Sequence, residues 1–352
     1  MLRRRSLLTL IGIALIGIVV VGCDKKSPDT ATAPDKTTPS GGGSTKKIRL
    51  VYIPKNTGNP YFDSVINGFK KASEELGFEF STVAPSTGDA TGQIPFIQQQ
   101  AQQKVDVIVI SPNSPDAVKP ALMEAMKAGI KIVTVDADLT GNEEARHAAV
   151  LPMDFNITGK SQIELMSELL GGSGEFAILS ATTDAPNQNY WIKGMQEALK
   201  DPKYKDLKLV EIAYGNDDQQ KSTTETQSLL TKHPNLKGIL APTSVGISAA
   251  AQVIETQKKG DKIAVTGLGT PDQMRKYIQN GTMKKFALWS PEDMGYLAGH
   301  LAQGLATDKI KPAVGGTFEA GKLKERKFGE KNVVITGPPT VFDKSNIDQY
   351  HF

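Results

Sequence analysis

The sequence predicts an α/β fold made of two lobes, each a doubly wound parallel sheet. Short β-branched runs alternate with amphipathic helical segments, which is typical of parallel sheets covered by helices. The alternation starts again after about residue 152, so two similar units follow each other. The stretch 131–138, KIVTVDAD, reads as a strand buried on both faces that ends in two carboxylates. A chain of 352 residues is long enough for two such units.

The first residues predict a lipoprotein signal peptide. Arginines at positions 3–5 precede an apolar run over 7–21, which is short for a membrane span but typical of a signal-peptide core. Cys23, the only cysteine in the chain, follows directly, and VVGC at 20–23 resembles the cleavage box of bacterial lipoproteins. Residues 1–22 are therefore expected to be removed and Cys23 to carry a lipid. The alternative is an incidental cysteine with no partner for a disulfide.

The next segment predicts a flexible tether. Residues 25–45 are rich in Pro, Thr, Ser, Gly and charge, with no apolar residue larger than Ala. Such a segment cannot bury enough surface to fold. Residues 23–46 are therefore assigned to the tether, and the folded part is expected to begin near Lys47.

The first lobe is predicted from five strands and the helices between them. Two helices begin with a capping residue followed by proline, at Asn59-Pro60 and Ser114-Pro115, and glycines close them at 77 and 129. A further helix carries apolar residues at 94, 97 and 101. The strands are expected over 48–53, 78–83, 105–110, 131–138 and 147–151.

The second lobe repeats the pattern. Strands are predicted over 175–179, 207–214, 238–241, 262–266 and 285–289. Helices are predicted over 157–170, 186–199, 219–231, 244–257 and 272–279, and the last long helix over 291–305. Ligands of open α/β sheets bind at the carboxyl ends of the strands, so the expected site is the cleft between the lobes.

Polar and aromatic side chains at several strand ends suit a polyhydroxylated small molecule. Carboxylates and amides exchange hydrogen bonds with vicinal hydroxyls, and aromatic rings cover the apolar face of a sugar. Asp136 and Asp138 share one face if the extended conformation persists that far. The candidates from strand ends and helix starts are Lys55, Asn56, Phe62, Asp136, Asp138, Asn187, Gln188, Trp191 and Trp289. Alternative explanations need no ligand. Helix capping alone would explain Asn59, Ser114 and Ser244, and helix packing would explain Tyr190 and Trp191. Either aspartate, taken alone, would also fit a solvated loop.

Composition and motifs argue against other classes of protein. The net charge of +3 is spread evenly, which disfavours nucleic-acid binding. The chain has neither a Gly-x-Ser-x-Gly elbow nor a Gly-x-x-x-x-Gly-Lys-Ser/Thr phosphate loop, and its four histidines lack metal-ligand spacing. No cofactor, metal or catalytic residue is expected. A glycosidase that uses Asp136 and Asp138 is the remaining enzymatic alternative.

Blocks over residues 48–352 resemble the sugar-binding proteins of ABC importers, and among them the rhamnose-binding proteins. The blocks are YIPK at 52–55, NPYFD at 59–63, DATGQIPFI at 89–97, NQNYW at 187–191, TGLGTP at 266–271, QMRKY at 273–277 and GPPTVFDK at 337–344. The resemblance implies a type I periplasmic binding protein that closes about a hinge on L-rhamnose or a similar deoxyhexose. A sugar-responsive repressor of the same fold would need a DNA-binding head where this chain has a signal peptide.

The chain also resembles the autoinducer-2-binding proteins. A receptor for autoinducer-2 is therefore the alternative to a rhamnose-binding protein. That family's ligand residues match Lys55, Asp136 and Gln188, and Pro242 matches a backbone contact. The chain departs at Asn187, where the family has aspartate, and at Ser244, where it has alanine. Pro242 and Ser244 therefore join the candidate ligand-binding residues. Loss of the carboxylate removes a charge-assisted acceptor and favours rhamnose.

The resemblance also implies three crossovers between lobes, near Pro152, near Trp289 and over 333–335. The expected boundaries are 47–152 with 290–332 for the first lobe and 153–289 with 333–352 for the second. The implied partners are a monosaccharide, the ABC permease and, through the lipid, the outer face of the cytoplasmic membrane, which faces the periplasm in a Gram-negative host. A monomer is expected.

Overall fold

The computed structural model describes residues 47–352, apart from the side chains of residues 155 and 156. The signal peptide, the tether and Cys23 lie outside the described residues and stay predictions. Within the described part, no helix is long and apolar enough to cross a membrane. The described residues belong to one compact unit.

The secondary structure alternates between strand and helix as predicted. The strands are β1 Arg49–Ile53, β2 Glu79–Thr82, β3 Val107–Ile110, β4 Lys131–Val135, β5 Ala148–Leu151, β6 Gly174–Ser180, β7 Leu207–Tyr214, β8 Leu236–Ala241, β9 Ala264–Gly267, β10 Phe286–Leu288, β11 Thr317–Glu319, β12 Glu325–Lys327, β13 Val333–Ile335 and β14 Thr340–Phe342. The helices are α1 Pro60–Leu76, α2 Ile94–Gln102, α3 Pro115–Lys127, α4 Phe155–Leu170, α5 Pro186–Ala198, α6 Gln219–Lys232, α7 Ser244–Thr256, α8 Pro271–Gln279 and α9 Pro291–Ala306.

Each lobe is built on its own parallel sheet, which confirms the predicted fold class. The first sheet has the order β2-β1-β3-β4-β5-β13, with every pairing parallel. The second has the order β7-β6-β8-β9, also parallel. A parallel bridge from Leu268 to Ala287 adds β10 beside β9, and β14 pairs antiparallel with β10.

The long helix α9 packs on the first lobe, although it follows a strand of the second. It lies along α1, and both helices approach closely at a pair of glycines. A Cβ on Gly68 would meet the Glu292 carbonyl oxygen at 2.0 Å, and one on Gly295 would meet that of Val65 at 2.0 Å. Only glycine fits at such a backbone contact, so the two glycines set the spacing of α1 and α9.

The last return to the second lobe lies later than predicted. Val333–Ile335, which the prediction assigned to the second lobe, forms β13 at the edge of the first sheet, paired with Ala149 to Leu151. Thr340–Phe342 then pairs with β10 of the second lobe. The chain therefore crosses within residues 336–339. A short run such as VVI indicates a strand but not the sheet that it joins, because both sheets offer an open edge.

Candidate ligand-binding site

The carboxyl ends of strands from both lobes meet around a cavity of about 40 Å³. A cavity of this size holds only a few water molecules, so polar groups of the two lobes contact one another directly. The lining residues are Lys55, Asn59, Tyr61, Phe62, Asp136, Asn187, Gln188, Trp191, Asp217, Pro242, Thr243, Ser244, Leu268, Leu288 and Trp289. The predicted residues Asn56 and Asp138 are not among them.

Asp136 enters the cavity because the backbone turns where β4 ends. The strand stops at Val135, and Asp136 adopts a left-handed conformation with φ of +69°. Its Oδ1 accepts a hydrogen bond of 2.6 Å from the hydroxyl of Tyr61, which in turn accepts one of 2.8 Å from Nε1 of Trp289. The carboxylate is therefore held in place by a buried chain of donors.

Asp138 has a structural contact where a ligand contact was expected. The extended conformation does not persist past Val135, so Asp136 and Asp138 do not share a face. Asp138 forms a buried two-pronged ion pair with Arg146, at 2.5 and 2.6 Å, and accepts a bond of 2.8 Å from Thr134. Arg146 also donates to the carbonyl of Lys331. The pair therefore ties the loop after β4 to the segment that leads into β13.

A chain of three side chains crosses the cleft. Lys55, which follows β1, donates a hydrogen bond of 2.8 Å from Nζ to Oδ1 of Asn187 in the first turn of α5. Nδ2 of Asn187 donates at 3.3 Å to Oδ2 of Asp136. The amide thus joins a cation and a carboxylate that both belong to the first lobe, and it connects them to the second.

Gln188 is fixed within the second lobe. Its Nε2 donates at 2.6 Å to the Pro242 carbonyl after β8, and its Oε1 accepts at 3.1 Å from Ser180 at the end of β6. The predicted backbone contact of Pro242 is thus used by Gln188 in this conformation.

Ser244, a predicted ligand residue whose alternative role was a helix cap, lines the cavity and makes a contact between the lobes. The cap of α7 is Thr243, and Ser244 is the first helical residue. Its Oγ donates at 3.1 Å to Oδ1 of Asn59, the residue that caps α1 in the first lobe. The predicted cap at Asn59 is confirmed. Its side-chain oxygen accepts hydrogen bonds from Tyr61 of α1 and from Ser244 of α7.

Aromatic rings form the apolar wall. The rings of Trp191 and Trp289 lie 5.6 Å apart in a tilted arrangement, and Tyr61 meets Trp289 edge to face at 6.4 Å. Phe62 packs edge to face on Tyr61 at 5.2 Å. Such walls suit the C–H face of a sugar ring.

Tyr61, Asp217 and Thr243 line the cavity but were missed by the sequence reasoning. Asp217 follows β7 as Asp136 follows β4, so the rule that located Asp136 could have found it. It lies in the run GNDD at 215–218, which also reads as a turn with a helix cap, and that second explanation hid it.

Asn56 does not reach the cavity wall. Its side chain is buried, and its Oδ1 has no hydrogen-bond partner within the described residues. The predicted role in ligand binding has no contact in this conformation that would support it.

Burial sets the electrostatics of the site. It raises the pKa of the Asp136 carboxyl, an effect that Lys55 and the Tyr61 hydroxyl oppose. It also raises the pKa of Asp217 and lowers the pKa of Lys55, whose ammonium the two aspartates stabilise. Among residues 47–352 no cluster of three His, Cys, Asp or Glu residues could hold a metal ion. The site can therefore exchange hydrogen bonds with a polar ligand, and charged side chains supply several of these bonds.

Comparison with known proteins points to one family. The model of the periplasmic binding protein domain matches residues 50–310. A sugar ABC transporter protein from Actinomyces odontolyticus is 41% identical with a TM-score of 0.69, over 87% of this chain and 98% of its own. An ABC transporter solute-binding protein from Clostridium phytofermentas with bound L-rhamnose is 33% identical with a TM-score of 0.83, over 86% and 98%. The ribose import binding protein of Escherichia coli is 25% identical over 75% of this chain and 85% of its own.

Proposed function

This chain belongs to the periplasmic binding protein family and is a solute-binding protein of an ABC sugar importer, and we propose that it selects L-rhamnose or a similar deoxyhexose. The matched family and the named relatives are sugar-binding transport proteins, so the chain is a binding protein and not an enzyme. The proposed ligand lies in the cleft and is trapped when the lobes close about the hinge.

The choice of ligand rests on the hydrogen bonds of Asn187. Its amide accepts from Lys55 and donates towards Asp136, so at this position the site has a neutral group that both accepts and donates. The solved relative with bound L-rhamnose supports the same choice, with a TM-score of 0.83 at 33% identity. An aspartate at this position, as in the autoinducer-2 receptors, would give the site a further carboxylate.

The remaining residues supply the walls and anchors of the proposed site. Asp136 accepts a ligand hydroxyl, while Lys55, Asn187 and Gln188 exchange hydrogen bonds with other hydroxyls. Phe62, Trp191 and Trp289 cover the apolar face of the deoxysugar, including its methyl group. Because the cavity of about 40 Å³ is smaller than a monosaccharide, Lys55 and Asn187 must separate from each other to admit it.

We further propose that the protein is anchored outside the cytoplasmic membrane by a lipid on Cys23. The family works outside the cytoplasm, and the apolar run that ends just before Cys23 supports the anchor. The tether of residues 23–46 would let a monomeric receptor reach the permease while staying near the membrane.

Calorimetric titration of residues 46–352 tests the choice of ligand. Saturable heat with L-rhamnose at micromolar concentrations or below, and none with autoinducer-2, is expected. Binding of autoinducer-2 without L-rhamnose would overturn the proposal and assign the protein to signal uptake. L-Mannose, which differs from L-rhamnose by a 6-hydroxyl, is the matched control, because an apolar wall at the methyl group predicts weaker binding.

A further inference from the structure

A second carboxylate enters the cleft from the lobe opposite Asp136. Asp217 follows β7 and lines the cavity. Asn216 and Asp217 both adopt left-handed backbone conformations, with φ of +56° and +52°. Asn and Asp adopt this conformation more readily than other residues with a side chain, and here it turns the chain between β7 and α6 at the cavity. The neighbouring Asp218 instead caps α6 through a bond of 2.6 Å from the backbone N–H of Lys221.

The Thr243 hydroxyl orients Asp217. Thr243 is the N-cap residue of α7, yet its side chain makes no capping bond. Its hydroxyl donates to Oδ1 of Asp217 instead. Thr243 thus holds one oxygen of a carboxylate that lines the cavity. A carboxylate has a second oxygen and further lone pairs with which it can accept from a ligand hydroxyl.

The charges around the cavity do not balance within the protein. Asp136 follows β4 of the first lobe and Asp217 follows β7 of the second, and Lys55 is the cation that both attract. Two carboxylates that approach as the lobes close repel each other unless donors lie between them. The hydroxyl groups of a neutral sugar are such donors.

We propose that Asp217 is the second ligand carboxylate of the site, and that one uncharged monosaccharide is held by hydroxyl contacts to Asp136 on one lobe and Asp217 on the other. This inference rests on the proposed sugar-binding function. It makes closure depend on a ligand with hydroxyl donors on two edges. It also gives the site a surplus of negative charge, which disfavours sugar acids.

The substitution Asp217→Asn tests this role, because it keeps the shape and the acceptor for Thr243 while removing the charge. Titration of residues 46–352 with L-rhamnose is expected to show affinity at least 10-fold weaker than wild type, as for loss of a charge-assisted hydrogen bond. Asp218→Asn is the matched control, since it removes the same charge one residue away and keeps a capping side chain. It should bind as wild type does.

Monodeoxy analogues of L-rhamnose separate a ligand contact from a general effect. The analogue that lacks the hydroxyl held by Asp217 should bind wild type and Asp217→Asn with equal affinity, because neither complex has the contact. Thermal unfolding without ligand is the second readout. Burial raises the pKa of Asp217, so the neutral variant should melt at a higher temperature than wild type at pH 7, whereas a purely structural role predicts a lower one.

The outcomes distinguish this inference from the proposed function. A wild-type protein that binds L-rhamnose, with Asp217→Asn binding equally well, overturns the role of Asp217 and leaves the function standing. A wild-type protein that binds neither L-rhamnose nor any sugar of a monosaccharide panel overturns the function and this inference with it. Weaker binding by Asp217→Asn, with every deoxy analogue equally affected, makes the effect indirect and also overturns the inference.

Discussion

Lys55 and Asn187 are 132 positions apart in the chain and are joined across the cleft by a hydrogen bond of 2.8 Å. The bond connects the end of β1 in the first lobe to the first turn of α5 in the second. The closed cleft therefore contains a buried cation whose hydrogen-bond partner on the opposite lobe is an amide. A ligand that hydrogen-bonds to Lys55 must therefore replace the side chain at position 187.

Asn187→Asp should change the ligand preference. A carboxylate at this position attracts Lys55 more strongly and adds negative charge beside Asp136, so a neutral deoxyhexose must break a stronger contact to enter. We expect L-rhamnose affinity to fall about 10-fold or more, which corresponds to about 1.4 kcal/mol. Calorimetry of wild type and variant with L-rhamnose and autoinducer-2 measures the change.

Asn189→Asp is the control for this substitution, because it adds the same charge two residues along, at an exposed side chain. It should leave both affinities as they are. An unchanged rhamnose affinity in Asn187→Asp would show that position 187 does not set the preference.

Asp136→Ala should abolish measurable sugar binding while the domain stays folded. The change removes the acceptor at the centre of the site and leaves the Tyr61 hydroxyl without its partner. Loss of hydrogen bonds to a charged group predicts an affinity at least 100-fold weaker. Circular dichroism checks the fold, and Asp184→Ala, at an exposed residue next to α5, is the control. Wild-type affinity in Asp136→Ala would remove Asp136 from the site.

Asp138→Ala should lower the free energy of unfolding by about 3–5 kcal/mol, because it leaves the Arg146 guanidinium buried without its carboxylate. Urea denaturation measures the change. The double variant Asp138→Leu with Arg146→Met should recover most of the stability, since it removes both charges. If Asp138→Ala were as stable as wild type, the ion pair of Asp138 and Arg146 would not stabilise the loop after β4.

Cys23→Ser should prevent lipid attachment. The thiol receives the lipid and a hydroxyl does not replace it, so labelling of cells with an alkynyl fatty acid should mark the wild-type protein and not the variant. Ser27→Ala, four residues along the tether, should be labelled as wild type. Label in both Cys23→Ser and wild type, or in neither, would contradict the proposed anchor.

Local sequence signals were enough to predict the lobes and most of the helix starts. The Asn59-Pro60 signal and Gly77 predicted the limits of α1, because a side-chain cap and a left-handed glycine act within one turn. The order of residues in β13 could not show which sheet it joins, because strand pairing depends on residues far away in the chain.

Site residues were predictable where their position after a strand is enough to bring the side chain to the cavity. They were less predictable where the local backbone conformation determines the direction of the side chain. Lys55, Asp136 and Asn187 follow strands and reach the cavity. The left-handed turn at Asp136 directs Asp138 towards Arg146, a contact between residues whose signals are unremarkable in sequence. Asp217 was concealed because Asp218, beside it, explains the same motif by capping.

Acidification should weaken sugar binding at a pH above the usual carboxyl range. Burial raises the pKa of Asp136 and of Asp217, and each must be ionised to accept a hydroxyl hydrogen bond in full strength. Binding measured from pH 8 to pH 4 should be constant near neutrality and then decline, with a midpoint above the ordinary aspartate pKa of about 3.9. A decline that begins only below that value would contradict the raised pKa.

The same two groups should affect folding in the opposite direction. Because their folded pKa is raised, the folded state holds protons that the unfolded state has released, so their contribution to stability is present below about pH 3.9 and is lost as pH rises through the folded pKa. Neutralising both, as Asp136→Asn with Asp217→Asn, should therefore raise the free energy of unfolding at pH 7 and not at pH 3.5. Urea denaturation of the double variant and wild type at both pH values measures this difference. A double variant less stable than wild type at pH 7 would mean that the carboxylates hold the lobes together, and that their ionised forms are not a cost of binding.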